Sequence, residues 1–272
     1  MLFRSRFLIA GALIGCFSLQ GAILPILELD APTLQVFNDY VKAFEARHQS
    51  RFQTASALWI DDDAAKRPGF EQGKPVVVAR ENRGFSTGSL HHYSGAMRIP
   101  GGTIATVRRM MQDYPNYPSY FRPDVSRAAF SVVPDSRPED EHYRANLELS
   151  QSTLWMNVVF DSEYDVHYLR LDDRRWEARS TTVAIKERVD PKNPGLGSYP
   201  VGRDHGLLWR TNTYWFVRER EGGLDMVVDS ISLSRSVPSA VAWWGTKRTK
   251  DAVEKMLSDT RAAMKLTQVA GR

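Results

Sequence analysis

The chain predicts an α+β fold of the helix-grip type, a curved antiparallel sheet of about seven strands wrapped around one long C-terminal helix. Three observations predict it. Seven runs between residues 86 and 235 are rich in β-branched and aromatic residues, and clusters of turn residues such as "PDSRPED" and "DPKNPGLGSYPVG" separate them. Successive strands joined this way make an antiparallel meander. The chain then closes on "AVEKMLSDTRAAMKL", where Val253, Met256, Leu257, Thr260 and Met264 share one helical face. That stripe needs a surface to cover it, and the sheet is the only large one available.

Taken in order, the chain begins with "MLFRSRFLIAGALIGCFSLQGA", which has the layout of a secretory signal over residues 1–22. Arg4 and Arg6 form a positive start, and Phe7 to Gly15 is an apolar run of the length expected of a signal core. Three fates fit this segment. Leu13-Ile14-Gly15-Cys16 resembles a bacterial lipobox, which makes Cys16 a lipid attachment site. Cleavage near Ala22 is a second fate, with Gln20 standing where a small residue is preferred. The third is retention, since Phe7 to Leu27 approaches the ~20 residues of a membrane span. Each places the remainder outside the cytoplasm, in the periplasm or cell envelope, with the N-terminus as the contact to a membrane surface. Cys16 is the only cysteine, so no disulfide can form within the chain.

Residues 23–85 read as a helical extension. In "APTLQVFNDYVKAFEARHQSRF" Leu34, Phe37, Val41 and Phe44 fall at helical spacing, and Pro32 suits a first turn. "DDDAAKRPGFEQGKP" is a polar connection, and "PVVVAR" has the character of a short strand. The main domain spans 86–267. "SLHHYSGAM" reads as its first strand, followed by a helix in which Ile104, Val107 and Met111 share a face until Pro115. Six further runs follow before the last helix, and "RERE-GG-LDMVV" marks a hairpin.

Composition excludes one class of partner. The formal charge of the 272 residues is +4, and without Arg4 and Arg6 there are 34 basic residues against 32 acidic ones. The two signs interleave, as in "RLDDRRWEAR", and nucleic-acid binding needs clustered positive charge.

Five stretches carry a resemblance. They are "LHHYSGAMRIPG", "MMQDYPNYPSYFRPDV", "YDVHYLRLDDRRWEARSTT", "DHGLLWRTNTYWFVREREGG" and "ISLSRSVP". Through them residues 86 to 267 resemble the START and polyketide-cyclase-like superfamily, also called SRPBCC or Bet v 1-like, and within it a bacterial START-like subgroup. The resemblance implies a deep, mostly apolar cavity between sheet and C-terminal helix, used elsewhere in the superfamily for lipids, sterols and polyketides. It implies a hydrophobic ligand, no cofactor and no catalytic signature. The stretch after Pro238 is more polar than the pattern implies.

Candidate ligand-binding residues follow from strand alternation. His91 and His92 are neighbours on a strand, so they point to opposite faces and cannot share one metal without a bulge. His92 is the candidate for a polar ligand head. The other histidines, His48, His142, His167 and His205, show no HExxH-like spacing, and no metal site is expected. Arg179 sits mid-strand in "WEARSTT", where it either faces solvent or anchors an acidic head. In "DHGLLWRTNTYWFVRERE" one face carries Arg210, Asn212 and Tyr214 and the other Thr211, Thr213 and Trp215. The first mixes apolar walls with polar groups, as pockets do, and is the face expected to line the cavity. On the last strand Met226 and Ser230 are expected beside the helix. The alternatives to a ligand carrier are a cyclase- or hydrolase-type enzyme in the same cavity, or a partner-binding module with a filled interior.

Overall fold

The computed structural model describes residues 24–52, 58–152, 157–236 and 239–270, so the expectations for residues 1–22, Cys16 included, lie outside the described residues. In chain order the elements are β1 (Leu27–Glu28), α1 (Ala31–Phe52), α2 (Arg67–Glu71), β2 (Val76–Phe85), β3 (Gly88–Pro100), α3 (Ile104–Gln112), α4 (Tyr117–Tyr120) and β4 (Val125–Val132). They continue with β5 (Asp140–Ser152), β6 (Asn157–Arg170), β7 (Arg175–Glu187), β8 (Arg203–Asp204), β9 (Arg210–Arg220), β10 (Gly223–Arg235) and α5 (Ser239–Ala270). No helix among the described residues is long and apolar enough to cross a membrane.

Eight strands form one antiparallel sheet in the order β2-β3-β10-β9-β7-β6-β5-β4. The strand β3 lies beside the last strand β10, and α3 and α4 carry the chain from there to the far edge at β4. Register shifts interrupt the β2–β3, β4–β5 and β6–β7 pairs. Each extra residue bends the strand that carries it, which curves the sheet around α5. The β9–β10 hairpin closes on Glu221-Gly222, with Arg220 opposite Gly223 and Gly222 at a φ of 81°.

The large sheet has eight strands, one more than the seven runs, and β1 and β8 pair separately. The extra strand is β2, whose apolar start "PVVVAR" continues through "ENRGF" to pair along β3. Its polar second half hid its length, because an edge strand buries only part of its surface. The extension before residue 86 therefore contributes an edge of the sheet as well as helices.

Both faces of the sheet are covered. On the grip face, Met97, Met226, Val228 and Trp215 pack with Val253, Leu257 and Met264 of α5 and with Val107 and Met110 of α3. Gly95 sets how close α5 comes, since a Cβ there would stand 2.8 Å from Leu257 Cδ1. On the outer face, Phe37 and Phe44 of α1 bury Leu90, Tyr214, Ile231 and Leu233. Leu58, Trp59, Ile60 and Phe70 cover Ala96, Phe216 and Val227 farther along.

Candidate functional site: a cavity under the last helix

A cavity of about 890 Å³ lies between the grip face, α3, α4 and α5. Ligand pockets for drug-sized molecules run from roughly 300 to 1,000 Å³, so this one is large. Met110, Leu147, Leu149, Phe160, Tyr164 and Val166 give it apolar walls. The β6 contributions Phe160, Tyr164, Val166 and Tyr168 all fall on one face of the strand, as strand alternation requires.

A polar strip crosses the floor. Thr213 stands opposite Ser180 on β7 and opposite Ser230 on β10. One rung along, Thr211 faces Ser232, which faces His91 on β3. All six line the cavity. Small hydroxyl residues in a sheet centre leave volume free above them and present donors and acceptors to whatever fills it. His91 accepts or donates beside them: its Nδ1 lies 2.9 Å from Asn82 Oδ1, which fixes the proton on Nδ1 and leaves Nε2 an acceptor. Burial holds its pKa below the ordinary histidine value, so the ring is neutral.

Lys255 closes one side of the cavity. From α5 it donates to Arg122 O at 2.9 Å and pairs with Asp124 at 2.9 Å and with Asp259 at 2.5 Å. It thereby clasps the start of β4 to the last helix. Buried tyrosines brace the opposite wall. Tyr114 and Tyr168 share a hydroxyl hydrogen bond of 2.7 Å, Tyr168 donates to Met111 O at 2.8 Å, and burial pushes the Tyr114 phenol up to about 12.

Of the residues expected at the site, Ser230 lines the cavity and Met226 is buried in the core beside it. The other five are on the outer face. His92 takes Tyr40 Oη at 2.8 Å and Asp229 Oδ1 at 3.0 Å. Arg179 grips Glu177 at 2.6 Å, and Tyr214 donates to Glu45 at 2.7 Å. Asn212 Oδ1 accepts from Thr182 N at 3.0 Å, and Arg210 donates to Trp209 O at 2.7 Å. The expectation for β9 and for His92 is thus corrected by one residue: Thr211, Thr213 and Trp215 face the cavity, and so does His91. The reason is α1. It buries the outer face, so both faces of β3 and β9 carry apolar and polar residues, and alternation alone does not say which is inner. The hydroxyls at period two, Thr211 with Thr213 and Ser230 with Ser232, were the available signal.

The outer residues form a buried polar network of their own. Asp229 accepts from His92 and from Ser94, whose hydroxyl also receives Arg80 Nε at 2.8 Å. Burial alone would raise the Asp229 carboxyl, but the hydrogen bonds and charge of His92 outweigh it and hold the pKa below the ordinary carboxylate range. Glu177 is held low in the same way, burial being outweighed by His48 and Arg179. These groups tie α1 to the sheet.

No family model matches the chain. No curated protein matches it. Among solved structures it is similar to the STAR-related lipid transfer protein (fragment 25–204) from Xanthomonas axonopodis, at 15% identity and a TM-score of 0.46 over 68% of this chain and 98% of that one. It is similar to human STARD10, at 12% identity and a TM-score of 0.44 over 69% and 72% of the two chains. The aromatase/cyclase Zhui from Streptomyces sp. R1128 is a third, at 10% identity and a TM-score of 0.39 over 67% and 96% of the two chains. What the cavity can do follows from its own walls.

Proposed function

We propose that this protein is an exported carrier that binds a hydrophobic, lipid-like ligand in the cavity and is tethered to the envelope by its N-terminal segment. The observation that carries the reading is the cavity itself, with apolar walls and a strip of hydroxyls on its floor. An apolar tail gains about 0.8 kcal/mol per buried methylene, so ten methylenes supply roughly 8 kcal/mol against the cost of immobilising the ligand. The hydroxyl strip fixes a head that carries hydroxyl or carbonyl groups. The signal-like layout of residues 1–22 and the lipobox-like stretch Leu13-Ile14-Gly15-Cys16 support export and tethering.

A second reading is an enzyme in the same cavity. His91 favours it, being neutral and oriented by Asn82 as a general base needs to be.

Native mass spectrometry tests the first reading, on residues 24–272 expressed in a periplasm and purified without detergent. The expected result is an added mass that extracts into organic solvent and is absent from Thr213→Trp, in which the indole fills the floor. A clean mass with no uptake from a lipid extract overturns it. Recovery of a chemically altered ligand, lost in His91→Ala, favours the enzyme.

A further inference from the structure

We infer that His142, Asp165 and His167 form a binding site for a divalent late transition metal ion of the Zn²⁺ class, on the outer face of the sheet and away from the cavity. The β5–β6 register sets His142 directly opposite His167, with Arg144 opposite Asp165 in a neighbouring pair. The two imidazole rings stack, with centroids 4.1 Å apart and planes 16° from parallel. His142 Nε2 lies 2.8 Å from Asp165 Oδ1, and His167 Nε2 lies 3.5 Å from Asp165 Oδ2. One ligand atom from each of the three residues falls within 4.8 Å of the others. A tetrahedral Zn²⁺ with ligand bonds near 2.0–2.1 Å sets its ligand atoms about 3.3 Å apart, so small side-chain shifts suffice.

The far nitrogens strengthen the inference. His142 Nδ1 lies 2.6 Å from Asp135 Oδ1, and His167 Nδ1 lies 2.8 Å from Asp140 Oδ1. Each ring therefore has a carboxylate behind it and the shared Asp165 in front. A carboxylate behind a metal-binding histidine holds the proton on Nδ1 and turns Nε2 toward the ion. Charge points the same way. Asp135, Asp140 and Asp165 surround the rings, and Arg144, at 3.2 Å from Asp165, is the cation that offsets part of this; it also lies 3.6 Å from Glu163. The carboxylates of Asp135, Asp140 and Asp165 outnumber that cation, which suits a divalent ion. Two nitrogens and one carboxylate oxygen favour the later first-row ions over Mg²⁺ or Ca²⁺, which take oxygen ligands. The side chains are 12%, 29% and 32% exposed for His142, Asp165 and His167, so water completes the coordination and ions have access.

The test is isothermal titration of the chelator-treated full chain with Zn²⁺, and with Co²⁺ for its visible spectrum. The expected result is one saturable equivalent, weakened at least tenfold in His142→Ala and in His167→Ala and unchanged in His91→Ala. Asp135→Asn, at an exposed position, leaves the fold intact and is expected to weaken binding about 10- to 100-fold. No saturable uptake overturns the inference. So does uptake that persists undiminished in the His142→Ala/His167→Ala double variant and in Asp135→Asn, which would place the ion elsewhere, Cys16 included.

Discussion

At the scale of single residues, the contact between His92 and Asp229 is costly to break. Both are buried, and the carboxylate has its partners on the sheet while Tyr40 reaches the ring from α1. Removing the ring leaves the buried carboxylate with Ser94 but one hydrogen bond short, which costs about 1–3 kcal/mol, and more for a charged group. His92→Ala is therefore expected to lose stability of that order in urea melts at pH 7. Asp229→Asn keeps an acceptor for Ser94 and is expected to lose less. The pH dependence has a definite sign. The folded carboxyl is depressed below 3.8, so its stabilisation is complete above that value and drains as pH falls through it toward the folded pKa. Melts of the parent between pH 5 and pH 3 should show this acid-side loss, and Asp229→Asn should show a shallower one. On the cavity floor, Thr213→Val and Ser230→Ala remove hydroxyls with little change of volume. They are expected to leave the melting temperature near the parent value and to weaken a hydroxyl-bearing ligand several-fold more than a plain fatty chain, read by competitive binding.

At the scale of elements, two of the contacts that hold α5 over the cavity differ in kind. The first is steric. Gly95 lets Leu257 rest on the sheet, and Gly95→Val would drive side-chain atoms into Leu257 and Val228. Overpacking of this sort costs typically 1–3 kcal/mol. The second is the ionic clasp at Lys255, whose ammonium is 37% exposed and pairs with an Asp124 carboxylate that is 53% exposed. Exposed pairs contribute about 0–1 kcal/mol to stability, so Lys255→Ala is expected to melt within a degree or two of the parent. Its effect belongs to exchange: stopped-flow release of a fluorescent fatty acid should be faster, more so at low salt, where the parental clasp is least screened. Elements are also where the sequence was most legible. The seven strand runs, the β9–β10 hairpin and the stripe on α5 follow from periodicity and turn residues that act locally. What was not legible depends on pairing. Whether His91 or His92 faces inward is settled by α1, more than forty residues earlier in the chain. His142 and His167 meet only through the β5–β6 register, which no local spacing reveals.

At the scale of the whole molecule, the N-terminal part is a layer of the fold and not an appendage. It supplies β2, which pairs along β3, and it supplies the cover for the outer face. A fragment of residues 86–272 would keep the grip, the cavity and α5. It would also turn the long strand β3 into an open edge and expose Leu90, Phe216, Ile231 and Leu233, each fully buried in the intact fold. An exposed edge of that length invites pairing with another chain, and a large apolar patch drives association. His92 and Glu177 would meanwhile lose Tyr40 and His48, their partners on α1. Residues 24–272 are therefore expected to run as a monodisperse species with one cooperative unfolding transition. Residues 86–272 are expected to bind a hydrophobic dye strongly and to elute as mixed aggregates on size exclusion. If the shorter fragment instead unfolds cooperatively at the parental temperature, the outer layer is dispensable. The buried network beneath α1 would then have to be explained by something other than holding the two layers together.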